Sequence, residues 1–250
     1  VSHYLDKVDD KEIENLEKRD DGKFEILDIK LDKRNTKNLN KNPNLNLSNI
    51  KIEPTNLEIK NNTNNKKLSF HDDKLISNIA ITDSSFLDTT PTTILKNSAI
   101  DACAQCTEAF DSKNGNVYTK FFCKKAFDIL ESALQEKNYD KLAYGSLLTG
   151  IGFGNSSTTL GHALSYVYSN EGYSHGHALA FTTQVAHKFN KSKFYERFKK
   201  IVEKLKFSRI KLKQNYGEAS ELILSDRKHL DNNPLEITKN DIISLSLIHI

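Results

Sequence analysis

The chain has 250 residues, of which 37% are hydrophobic and 28% charged, and it contains neither Met nor Trp. This length allows one or two domains, while the polar composition indicates that a folded part is accompanied by a part without a core. A net charge of +3 is too small to indicate nucleic acid or an anionic membrane as a partner, and no apolar run reaches the roughly eighteen residues that cross a bilayer.

Residues 1–66 are predicted to be a low-complexity, mostly disordered segment. Twelve of the 31 residues from 35 to 65 are Asn, and a further five are Lys or Ser. Such a tract buries too little apolar surface to offset a backbone entropy cost of roughly 1–2 kcal/mol per residue. An RNA-binding arm is not favoured, because Asp and Glu balance the Lys residues and no aromatic residues are interleaved.

Residues 67–93 are predicted to form an extended lead-in, with a β-like run at 75–82 followed by turn-forming residues and Pro91. The apolar period then changes to three and four residues. This period predicts helices at 94–110, 117–134, 139–153, 158–168, 177–189, 194–205 and 216–224, and Thr238 is a candidate N-cap for one more. The expected fold class is mainly α: a helical bundle of six or seven helices over residues 94–244.

Two short motifs have interpretations that compete with helix packing. GIGFG at 150–154 resembles a phosphate-binding loop, but it follows a predicted helix rather than a strand, so helix packing is favoured. Cys103 and Cys106 have the CxxC spacing of thiol redox sites and of half a zinc knuckle. No second CxxC exists and Cys123 lies apart in an apolar run, so buried thiols are favoured. A redox role would require both thiols to reach solvent.

The segment GHALSYVYSNEGYSHGHA, residues 161–178, holds three His, three Gly and three Tyr. His162 lies within a predicted helix, and His175 and His177 follow a glycine-containing turn. One His on an apolar helix face is usually a core residue, whereas several His with a buried Asp form the ligand set of a catalytic zinc or ferrous ion. On spacing alone both interpretations stay open.

Asp101 and Gln105 are the carboxylate and amide that could complete such a site. They are four residues apart and therefore project from the same side of a helix, towards a common ligand. The alternative is that Asp101 caps or hydrogen-bonds a neighbouring helix.

Three stretches together resemble the C-terminal helical domain of the iron-containing (group III) metal-dependent alcohol dehydrogenases, a dehydroquinate synthase-like domain. They are IDACAQCTEAF at 100–110, LLTGIGFGN through VAHKFN at 147–190, and NPLEITKNDII at 233–243. The resemblance covers residues 68–244 and lacks the family's N-terminal nucleotide-binding domain, which agrees with the single glycine, Gly22, before Gly115. The chain is thus expected to be a fragment. Its last six residues, LSLIHI at 245–250, are separately expected to be a tail derived from a sequencing adaptor.

The resemblance assigns roles to individual residues. The family's metal ligands fall on Asp101, His162 and His175, and a fourth ligand, commonly His, falls on Gln105. A His that many members use in proton transfer is Tyr166 here. The HALSY and HGHA motifs are most similar to a subgroup that includes phosphonoacetaldehyde reductases, which would place His177 in the substrate pocket.

The activity implied by the resemblance is that of a cytoplasmic NAD(P)-dependent alcohol dehydrogenase or aldehyde reductase. Fe2+ or Zn2+ would polarise the oxygen of a small alcohol or aldehyde during hydride transfer, with NAD or NADP bound by the N-terminal domain. Family members are often dimers or larger, so a homodimer is expected, and the fragment alone is expected to be inactive. A non-catalytic helical interaction module or decayed paralogue is the alternative; it would explain Gln105 and Tyr166 without chemistry, and metal content separates the two.

Overall fold

The computed structural model describes residues 57–60, 67–70 and 81–246. Leu57–Lys60 (β1) and Lys67–Phe70 (β2) pair in a two-stranded sheet. Apart from β1, the predicted low-complexity segment 1–66 lies outside the described residues, as do positions 75–80 of the β-like run and 247–250 of the suspected tail. Residues 81–83 are irregular, and Ser84–Leu87 form a 3-10 turn.

Helices make up most of the region from residue 92 onward, which confirms the mainly α fold class. Their bounds are Thr92–Asp111 (α1), Val117–Glu136 (α2), Tyr139–Phe153 (α3), Leu160–Asn170 (α4), His175–Asn190 (α5), Tyr195–Leu205 (α6), Tyr216–Ser225 (α7), Arg227–Asp231 (α8) and Lys239–Ser246 (α9). The first seven match predicted helices to within two residues at each end, and α8 was not predicted. None of the helices in the described region is both long enough and apolar enough to cross a bilayer.

Local signals in the sequence define several helix ends. Asn116 begins α2, where its side-chain oxygen accepts a hydrogen bond from the N–H of Thr119, and Lys137 ends α2 in the left-handed conformation at φ 56°. Before α9, the hydroxyl of Thr238 accepts from the N–H of Asp241, while the Asp241 carboxylate accepts from the N–H of Thr238. This reciprocal pair confirms Thr238 as the predicted N-cap.

Helix α1 lies at the centre of the bundle and contacts α2, α3, α4, α5 and α6. Small side chains dominate its buried face, which lets the neighbouring helices approach closely. The small buried residues are Ala99, Ala102, Cys103, Ala104, Cys106 and Ala109. Because α1 is surrounded, the polar residues on its inner face have to find partners on other helices.

The glycine and cysteine motifs both take part in helix packing. Gly152 of α3 packs against Cys123 of α2, since an added Cβ would lie 2.4 Å from the sulfur. Cys103, Cys106 and Cys123 are fully buried, and burial raises the pKa of each thiol, that of Cys123 to about 12. Inaccessible thiols in which the thiolate is disfavoured cannot act as a redox pair. The buried-thiol interpretation is therefore confirmed.

Candidate metal centre

Three of the predicted ligands, Asp101, His162 and His175, come together from α1, α4 and α5. His162 Nε2 lies 3.7 Å from Asp101 Oδ1, and His175 Nε2 lies 4.0 Å from the same oxygen. One ligand atom of each residue is within 4.8 Å of the other two. Gln105, the fourth predicted ligand, lies one turn after Asp101 on α1 and is half-buried.

This donor set fits a divalent transition metal. Two imidazoles and one carboxylate can ligate a catalytic zinc and also form the facial triad that holds ferrous iron. Ligand atoms around a tetrahedral zinc lie roughly 3.4 Å apart for bonds of about 2.0–2.1 Å, so the separations of 3.7 and 4.0 Å from Asp101 Oδ1 would have to close by about 0.3 and 0.6 Å when an ion binds. The side chains of Asp101 and His175 are 25% and 22% exposed, which leaves the cluster accessible to an ion.

Glu108, two turns after Asp101 on α1, holds the other nitrogen of the His162 ring. Its Oε2 is 2.5 Å from His162 Nδ1, and its carboxylate also accepts hydrogen bonds from the start of α4. Burial by itself would raise the pKa of Glu108, but the charge and hydrogen bond of His162 lower it to about 2. Burial would likewise lower the pKa of His162, yet the Glu108 carboxylate and then Asp101 raise it to about 9. Two carboxylates thus favour positive charge at this ring, and a metal ion bound at Nε2 would take the place of the proton there.

Ser165 holds the second imidazole in a similar way. Its hydroxyl donates to the carbonyl oxygen of His162 at 2.7 Å and lies 3.4 Å from His175 Nδ1, which can donate to it. With the tautomers assigned from these hydrogen bonds, both imidazoles have a partner on Nδ1 and face Asp101 with Nε2. An imidazole that ligates a metal through one nitrogen usually donates a hydrogen bond from the N–H of the other nitrogen.

Two glycines allow α4 and α5 to approach α1 closely. A Cβ on Gly161 would lie 2.6 Å from a Glu108 oxygen, and a Cβ on Gly176 would lie 2.0 Å from the carbonyl oxygen of Asn97. Each glycine stands directly beside a predicted metal ligand in the sequence. The dense Gly and His pattern of residues 161–178 therefore reflects two helices packed tightly onto the helix that carries Asp101.

Tyr166 and His229 border the cluster. The ring centroid of Tyr166 is 6.2 Å from that of His175, with the planes 13° apart. His229, from α8, lies 5.7 Å from the Tyr166 ring and 6.1 Å from the His162 ring, and Asp226 orients it through a 2.7 Å contact with Nδ1. His229 was not predicted from the sequence, where the only local signal for it is the acidic residue three positions before it.

His177 has different surroundings from the three candidate ligands. It lies two residues after His175 on α5, which places it about 200° around the helix. Its Nε2 is 2.6 Å from the carbonyl oxygen of Ser208, and its ring is 5.4 Å from that of Phe207. Its role in a substrate pocket stays a prediction.

The model of the Fe-containing alcohol dehydrogenase family, C-terminal, matches residues 96–226, about half of the chain. This chain therefore belongs to the iron-containing alcohol dehydrogenase family, through its C-terminal domain.

Individual relatives agree with this assignment. The chain is 35% identical over 117 residues to 4-hydroxybutyrate dehydrogenase of Clostridium kluyveri, which is 42% of this chain and 32% of that protein. It is similar in fold to sulfoacetaldehyde reductase from Bifidobacterium kashiwanohense in complex with NAD+ (TM-score 0.69, 20% identity, 78% of this chain and 60% of that one). It is also similar to an alcohol dehydrogenase from Oenococcus oeni (TM-score 0.71, 18% identity, 78% and 62%). The match thus spans about a third of the curated relative's length.

Proposed function

We propose that the helical domain is the metal-binding part of an NAD(P)-dependent alcohol dehydrogenase or aldehyde reductase. The observation that carries this proposal is the convergence of His162 Nε2 and His175 Nε2 on one oxygen of Asp101, inside the region that matches the family. An iron or zinc ion bound by these residues would supply a Lewis acid for the substrate oxygen, and NAD or NADP would accept or donate the hydride.

The side chains around the three ligands have separate tasks in this proposal. Asp101 brings negative charge to the donor set, and Glu108 and Ser165 fix the two imidazoles. Tyr166, stacked on His175, has a phenol that can donate a hydrogen bond to a substrate oxygen. With the ring of His229 beside it, we expect Tyr166 to form the wall of the substrate pocket and to limit the access of water.

A small alcohol or aldehyde is the substrate class that the relatives support. Both 4-hydroxybutyrate and sulfoacetaldehyde, the substrates in the names of two relatives, carry an anionic group away from the reacting carbon. Short substrates with a terminal anion are therefore the first to test. The nucleotide is expected to bind outside residues 94–244, and the homodimer and the cytoplasmic location stay predictions.

The proposal is tested by the metal content of the chain after loading with Fe2+ or Zn2+ and desalting. We expect close to one ion per chain in the wild type and in the control His177→Asn, and loss of the ion in His162→Ala. A wild type without metal after reconstitution would overturn the proposal. That result would favour the non-catalytic module or decayed paralogue, which the departures at Gln105 and Tyr166 also suit.

A further inference from the structure

Glu108 is a buried carboxylate on the same side of α1 as Asp101. The two residues are seven apart, close to two helical turns, and so are separated by roughly 10 Å along the helix axis. The ring of His162 lies between them, with Nδ1 2.5 Å from Glu108 Oε2 and Nε2 3.7 Å from Asp101 Oδ1. Two carboxylates of one helix thus meet opposite nitrogens of a single imidazole.

We propose that Glu108 is a positioning residue of the metal centre. It accepts the Nδ1–H of His162 and thereby fixes the ring with Nε2 directed to the side of Asp101, where Nε2 can ligate an ion that displaces its proton. The inference rests on the proposed function, because it assigns His162 to a metal. Carboxylates that hold a metal-binding His in this way typically change metal affinity 10- to 100-fold when they are replaced.

The surroundings of Glu108 explain how it can hold the ring firmly. The residue is 1% exposed, and its carboxylate also accepts hydrogen bonds from the Thr159 hydroxyl at 2.9 Å and the Gly161 N–H at 2.5 Å. These donors belong to the start of α4, where backbone N–H groups lack partners within the helix and favour negative charge. Glu108 therefore fixes both the start of α4 and the imidazole that α4 carries.

A purely structural role would make Glu108 an anchor for α4 and nothing more. Removing the carboxylate would then lower stability but leave the metal affinity of the folded protein unchanged. Thr107, the preceding residue, provides a matched control for this distinction. It is fully buried, and its hydroxyl is 2.9 Å from Nε2 of His187, a buried histidine outside the cluster.

The experiment compares the Co2+ affinity of the 250-residue chain in the wild type, Glu108→Gln, Glu108→Asp and Thr107→Val. Affinity is read from the visible absorption of bound Co2+ in competition with a chelator, and thermal unfolding without metal confirms that each variant folds. Gln keeps the shape but loses the charge, whereas Asp keeps the charge but withdraws the carboxylate by one methylene group. We expect both Glu108 variants to bind Co2+ about 10- to 100-fold more weakly, and Thr107→Val to remain within about threefold of the wild type.

A double-mutant cycle with His162→Ala, whose weak residual binding is titrated directly with excess Co2+, tests whether Glu108 acts through that ring. Glu108→Gln should weaken Co2+ binding no further once His162 has been removed. Unchanged or tighter binding in a folded Glu108 variant, or an equal further loss in the His162→Ala background, would overturn the proposal. If the wild type binds no Co2+, the proposed function fails, and the role of Glu108 fails with it. If the wild type and both Glu108 variants bind Co2+ equally well, only the role of Glu108 is overturned.

Discussion

Replacing Gly176 by Ala is expected to displace the start of α5, next to His175. The added Cβ would lie 2.0 Å from the carbonyl oxygen of Asn97 and 2.6 Å from its carbonyl carbon, whereas real Cβ contacts essentially never fall below 3.0 Å. Both atoms belong to the backbone of α1, which cannot turn aside as a flexible side chain could. The start of α5 would therefore have to move away from α1 by about 1 Å.

The cost follows from two opposing effects. Overpacking of a close contact costs about 1–3 kcal/mol, while Ala is better than Gly in a helix by about 0.5–1 kcal/mol. A net loss of about 1–2 kcal/mol corresponds to a melting temperature lower by roughly 2–8 °C for a domain of this size. His175 moves with α5, and metal–ligand bond lengths vary by only about 0.2 Å, so a further displacement of about 1 Å should weaken metal binding as well.

Thermal unfolding followed by circular dichroism, with and without Zn2+, measures both effects. Gly150 of α3 is the matched control, because no atom lies within 4 Å of an added Cβ there. Gly150→Ala should stabilise the protein by about 0.5–1 kcal/mol and leave the metal-dependent stabilisation intact. If Gly176→Ala melts at or above the wild-type temperature, the close approach of α5 to α1 is wrong.

Two further predictions concern residues of α1. Gln105→His adds an imidazole one turn after Asp101 and should tighten Zn2+ binding by about tenfold or more in chelator competition. The control, His in place of the exposed Gln135, should leave the Zn2+ affinity unchanged. Equal affinities of Gln105→His and the wild type would contradict the placement of Gln105 beside the cluster. Burial raises the pKa of Asp111 from 3.8 to about 6, so its stabilising contribution is present below pH 3.8 and is lost as the pH rises through 6. Asp111→Asn should therefore increase the free energy of unfolding by about 2–3 kcal/mol more at pH 8 than at pH 4. Urea denaturation at the two pH values measures this difference, with the exposed Asp88→Asn as control. A gain in stability that does not depend on pH would contradict the burial of the Asp111 carboxylate.

Most helix bounds follow from the sequence because apolar periodicity and local caps act over a few residues. The exceptions lie where a tertiary contact replaces a local signal. The sequence predicts a start at residue 158 for the helix that begins at Leu160. The prediction is two residues early because the N–H of Gly161 bonds to Glu108 of α1 rather than to a local side chain. The following helix begins at His175 instead of residue 177, because Gly176 lies within the helix and packs against α1 rather than belonging to the preceding turn.

The candidate ligands could be assigned from the sequence only through the family resemblance, whereas their supporting residues could not be assigned at all. Glu108 and His162 are 54 positions apart, and no local pattern specifies that they meet. A Glu on the apolar side of a helix does indicate a buried carboxylate that needs a partner, but the sequence does not name that partner. His229 depends in the same way on how α8 packs against α4.

The regular pitch of α1 makes the centre vulnerable to one kind of genetic change. A single codon inserted between positions 101 and 108 would rotate Glu108 by about 100° relative to Asp101 and remove it from the His162 ring. The connecting loops at 112–116 and 206–215 lie outside this stretch of α1, so a change in their length leaves the register of Asp101 and Glu108 unchanged. Descendants of this gene can therefore lose the candidate metal centre through a single insertion within α1.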